Sequence, residues 1–252
     1  VARATAGSLC TGTNLSYSAA GGAAGVVQST GAGSSLTMTQ ATVAVTSTNL
    51  HGVNVEAGGT LTFAGSVTAI SGQGGGASNA RAVVAQSGNA SLTVNGNLSA
   101  TRRGGGTGGA AVEAAGNSTI TVLGAATIVS NALSAQGIRV NSGGVLNITG
   151  PTSIQTTRSN SQGVIVAMTG TAGGGATPGS ALARFGDLTV QTLDTGSHGI
   201  QAQGTLNNTV VVNGALQVTT AQSNAIGLYA LNGGKILVDQ LEDLFTASSA
   251  QW

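Results

Sequence analysis

His51 and His198 are the only histidines in a chain of 252 residues, and each stands directly before a Gly and a β-branched residue, in HGV at 51–53 and HGI at 198–200. Two imidazoles are candidates for a metal site or a proton relay. The acids are also few: Glu56, Glu113, Asp187, Asp194, Asp239, Glu242 and Asp243. Glycoside cleavage by the usual route needs two carboxylates ~5–10 Å apart. Asp187 and Asp194, flanking LTVQTL, are the one mid-chain pair to consider. An extended LTVQTL would hold them about 20 Å apart, and it leaves a Ca²⁺ site equally short of ligands. The single Cys10 excludes an internal disulfide framework. No GxSxG phrase offers a nucleophile, and RRGGGTGG at 102–109 lacks the GxxxxGK[ST] spacing of a phosphate loop. These residues point away from an enzyme and predict neither a cofactor nor a metal.

The elements that must position such residues are announced by composition. Only 6% of residues are charged and 2% aromatic, whereas 42 are Gly and two are Pro. Val, Ile and Thr are frequent throughout, which favours β structure with many tight turns over a disordered chain. The net charge of +1 argues against nucleic acid or an anionic membrane as the main partner. No apolar run approaches the ~20 residues of a membrane-spanning helix.

A repeat organises the whole chain. Residues 51–65, HGVNVEAGGTLTFAG, are nearly restated at 136–150 as QGIRVNSGGVLNITG. The Gly before the first apolar burst, or its stand-in, falls at Gly25, Gly52, about Arg81, about Ala111, Gly137, Gly163, Gly199 and Gly227. These steps are 26–30 residues long except one of 36, between Gly163 and Gly199. A second burst follows each first (LTM at 36–38, LTF at 61–63, ALARF at 181–185), and most units add a third. Period-2 alternation in all three, with no sustained 3.6-residue spacing, predicts three short strands per unit and one unit per turn of a solenoid. About eight stacked coils, ~4.8 Å apart, make a rod of roughly 35–40 Å. The two histidines then lie five coils, ~24 Å, apart and read as corner residues.

The phrases GVNVEAGGTLTFAG at 52–65 and GIRVNSGGVLNITG at 137–150 resemble the passenger domains of pertactin-like bacterial autotransporters, with the similarity covering roughly 25–245. The resemblance implies an all-β, right-handed, single-stranded parallel β-helix. It further implies export through the periplasm and outer membrane by a C-terminal outer-membrane β-barrel of the precursor, and action at the bacterial surface or outside the cell. The expected organisation is an N-terminal cap or first irregular coil at 1–24, the passenger helix at 25–240, and a C-terminal capping segment or truncation point at 241–252. Leu241, Leu244 and Phe245 there have helical spacing.

Function is then expected where the repeat is interrupted, because insertions on a solenoid tend to line its working face. The insertion at 169–180 contributes Thr169, Thr171, Thr177, Pro178 and Ser180 as candidate contact residues, and shorter loops contribute Gln73, Ser78, Arg102 and Arg103. The expected partner is a host or neighbouring-cell surface protein or glycan, as for an adhesin or virulence factor, without nucleic acid. A polysaccharide-cleaving β-helix and a purely structural stalk are the alternatives. Glu113 and Arg139 hold the same outward position in adjacent units, which predicts a surface cross-strand ion pair contributing ~0.2–1 kcal/mol.

Overall fold

In a computed structural model the chain is a parallel β-solenoid, described for residues 2–19, 25–46, 50–72, 79–104, 107–167, 180–204 and 207–241. No helix occurs among these residues. One coil shows the plan: a first strand His51–Glu56, a second Thr60–Phe63 and a third Val67–Ser71. The first strands of successive coils form a nine-stranded parallel sheet, the first face. The second and third strands share a 14-stranded sheet, because Leu9–Ala19, Ser35–Val45 and Thr209–Thr220 run on across the corner between the two faces.

Each apolar residue stacks on its copy one coil away. Val53 pairs with Val83, Val83 with Val112, Val112 with Ile138, Ile138 with Val164 and Val164 with Ile200. All six are buried, as are Leu61, Leu92, Ile120 and Leu146 on the second face. On the second face the residues between them are exposed or half-buried, as alternation requires, whereas on the first face the outward Asn54, Val84 and Glu113 are buried as well.

The repeated phrase is explained by two close approaches. A Cβ on Gly137 would lie 2.7 Å from the Gly163 carbonyl oxygen, and one on Gly163 would lie 2.7 Å from that of Gly199. Glycine lets the backbone of one coil settle on the next here. In the turn that follows, Ser142 and Gly143 have positive φ (50° and 78°), as do Ala57 and Gly58 (52° and 81°) in the earlier copy. The next glycine, Gly59, would place a Cβ 2.6 Å from the Ser29 carbonyl oxygen. The GG pair is therefore a corner device repeated coil after coil.

Three registers differ from expectation. Gly25 pairs with His51, so Val26 rather than Gly25 stands at the repeat-glycine slot. Val83, not Ala82, aligns with Val53, so Ala82 rather than Arg81 stands in for the repeat glycine. Near the N-terminus, Ala2–Thr5 pairs in register with the first strand Gly25–Thr30, and Leu9–Ala19 pairs with Ser35–Val45. Residues 2–19 thus stack in register on the next coil. The proposed helical spacing of Leu244 and Phe245 falls outside the described residues.

Candidate functional site

Three of the chain's few charges converge at one place on the outer side of the first face. Glu113 lies in the first strand Ala110–Ala115, in register with Val84 on one side and Arg139 on the other. Arg139 Nη2 donates to Glu113 Oε2 at 2.7 Å, as the repeat alignment requires. Arg81 Nε donates to the same oxygen, and Arg81 Nη1 donates to the Asn79 carbonyl at 2.8 Å. The pair is therefore neither exposed nor two-membered. Glu113 is fully buried, Arg81 has a side chain 10% exposed, and Arg139 at 23% is the open rim. Sequence spacing placed Glu113 beside Arg139 but missed Arg81, which reaches across from the preceding coil.

Burial alone would raise the Glu113 carboxyl, but the charges of Arg139 and Arg81 and their hydrogen bonds outweigh it and hold it down to about 2. His51 lies nearby, nine-tenths buried, and its Nδ1 accepts the Arg81 backbone N–H at 3.2 Å. Burial, then the Arg81 charge, depress its imidazole to about 4, against a smaller opposing effect of Glu113. His198 repeats the contact five coils away, accepting from the Ile226 N–H at 3.0 Å, with its ring 5.0 Å from that of Tyr229. Both histidines hold corners, and a neutral ring nitrogen does the work of a backbone carbonyl.

The arginines 102 and 103, expected together on a loop, are separated by the fold. Arg102 ends the third strand Leu98–Arg102, is fully buried, and stands in register with Ser71 and Ser130; Arg103 is exposed. The correction follows from parity, because Arg102 continues an inward series that sequence reading assigned to the loop. In later coils that slot holds Ser130, Thr156 and Thr192, whose hydroxyls donate to the carbonyls of Ala135, Ser161 and Ser197 at 2.8, 2.7 and 2.6 Å. The recurring Ser or Thr after the third burst, in IVS, IQT and VQT, was the available signal for this ladder.

Ser180 is exposed just before the strand Leu182–Phe185. Thr169, Thr171, Thr177, Pro178, Gln73 and Ser78 lie outside the described residues. Asp187 and Asp194 do not converge: Asp187 Oδ1 accepts the Ala215 N–H at 3.0 Å, and Asp194 Oδ1 accepts the Thr195 N–H at 2.7 Å. Asp187 bridges to the next coil, and Asp194 holds its own turn. Among the described residues no group of three or more His, Cys, Asp or Glu side chains could hold a metal ion.

The outward face around Glu113 retains unused polar capacity. Glu113 Oε1, Arg139 Nε and Asn141 Oδ1 are buried without a hydrogen-bond partner, as are both amide atoms of Asn54 on the same face. Such groups carry a desolvation cost that a ligand or ordered water can relieve. No protein-family model, curated protein or solved structure matches the chain.

Proposed function

We propose that this chain is the β-solenoid passenger of an exported autotransporter, displayed at the bacterial surface or beyond it, where it binds a surface protein or glycan of a host or neighbouring cell without catalysing a reaction. A rigid stack of near-identical coils is suited to presenting side chains and loops at fixed spacing. The observation that carries the reading is the contrast between that regular stack and its one long interruption, between the strands Val164–Ala167 and Leu182–Phe185. The engagement of Asp187 and Asp194 with separate backbone amides supports binding over glycoside cleavage. In the precursor, a C-terminal outer-membrane barrel would carry the passenger out.

The test is a binding screen of the chain against host-cell surfaces and glycan panels, with and without residues 169–180. Saturable binding that falls on deletion, with circular dichroism unchanged, is the expected result. A folded chain that binds nothing overturns the reading in favour of a stalk.

A further inference from the structure

The site around Glu113 gives the adhesive reading, on which this inference rests, a class of ligand. The chain has only eight Lys and Arg and seven acidic side chains, yet Arg81 and Arg139 converge on one carboxylate. Contact is direct for both. Taking charges out of water costs several kcal/mol per ion unless they are paired. One carboxylate between two guanidinium groups leaves the site cationic.

Its geometry is also specific. Asn141 follows Arg139 by two residues in the first strand Gln136–Asn141, which puts both on the outward side. Asn141 is 2% exposed, and its Oδ1 has no hydrogen-bond partner. Glu113 Oε1 and Arg139 Nε are likewise buried and unpartnered. Guanidinium, carboxylate and amide are planar groups suited to paired hydrogen bonds. Together they supply a donor fork for an oxyanion and acceptors for hydroxyl groups, the complement of an acidic sugar ring. Arg139, the most exposed of the three contacting side chains, is where such a ring would arrive.

We propose that Arg139, with Arg81 and Asn141 beside it, recognises the oxyanion of an acidic glycan on the outer side of the first face, while Glu113 Oε1 accepts from a sugar hydroxyl. A neutral glycan would leave the guanidinium fork unanswered, and a simple anion would leave the acceptors unanswered.

The intact chain is titrated calorimetrically with three oligosaccharides of matched length: one bearing uronates, one bearing sulfates and one neutral. At least one acidic probe binds, and the neutral probe binds about tenfold more weakly or worse, as loss of a charge-assisted hydrogen bond implies. Uronate binding alone assigns a carboxylate, and sulfate binding alone assigns a sulfate. Arg139→Gln weakens the acidic probe about tenfold or more by the same reasoning. Arg139→Lys keeps the charge without the planar fork and weakens it severalfold. Arg184→Gln, at an exposed arginine on the second face, leaves affinity unchanged. Circular dichroism and a thermal midpoint verify each variant, and Arg139→Lys carries the comparison if Arg139→Gln unfolds. No acidic probe binding, or equal losses in the Arg139 and Arg184 variants, overturns the site. Cell binding that persists without acidic-glycan binding removes this site alone; loss of both removes the adhesive reading too.

Discussion

Glu113 couples two guanidinium groups from neighbouring coils, and its value to the fold is conditional on its charge. Glu113→Gln strands Arg81 and Arg139 beside a neutral amide, and breaking a buried ion pair in this way costs about 3–5 kcal/mol, read as a lower denaturant midpoint. The pH dependence has a definite sign. The carboxyl titrates near 4.5 when unfolded and near 2 when folded, so its contribution is complete above ~pH 5 and is lost as pH falls from about 4.5 to about 2. That loss amounts to about 3 kcal/mol and is absent in Glu113→Gln. His51 acts in a higher window. Its imidazole moves from 6.5 to about 4 on folding, so protonation favours the unfolded chain and stability declines as pH falls from 6.5 toward 4. His51→Gln flattens that upper window, and the replacement fits a corner column that already holds Gln136 and Gln162. Unfolding titrations of the two variants separate the windows. Much of this site was hidden from sequence reading. Glu113 and Arg139 share a slot in the repeat, so their contact could be read, whereas Arg81 reaches Glu113 diagonally from a different slot.

Between single residues and the rod lies the coil, whose corners are more demanding than its strands. Gly137→Ala would drive a methyl to 2.7 Å from the Gly163 oxygen and 2.5 Å from Ile154 Cγ2, contacts that force the two coils apart. A destabilisation of about 1–3 kcal/mol follows, as for other overpacked sites, and a denaturant titration measures it. Gly7→Ala meets no atom within 4 Å, but its φ of 79° charges the residue the left-handed penalty of about 1–2 kcal/mol. The strands were legible because alternation and stacking say the same thing: Leu61, Leu92, Ile120 and Leu146 recur in sequence and pair in space. Less legible was the third corner. There Ser130, Thr156 and Thr192 turn inward to satisfy carbonyls, and a hydroxyl after an apolar burst looks the same in sequence whether it faces a carbonyl or solvent. Arg102 was misplaced for that reason, being a long cation in a slot otherwise given to small hydroxyls.

For the whole molecule, each coil contacts chiefly its neighbours, so stability is a sum of coil and interface contributions rather than one shared core. Leu146→Ala, at a fully buried position mid-rod, removes apolar contact on both sides and costs about 2–5 kcal/mol. A second transition in calorimetry is its expected signature, because the flanking blocks lose part of their coupling there. The stack is not uniform along its length. Ile138 and Val164 are fully buried, but Leu228 in the strand Leu228–Leu231, and Ile236 and Val238 in Lys235–Leu241, are covered only in part. Position along the axis therefore sets a clock. Amide protons of the last strands should exchange with deuterated solvent soonest and those of Ala110–Asn141 last, so that an exchange time course, read residue by residue, traces the direction in which the molecule comes undone.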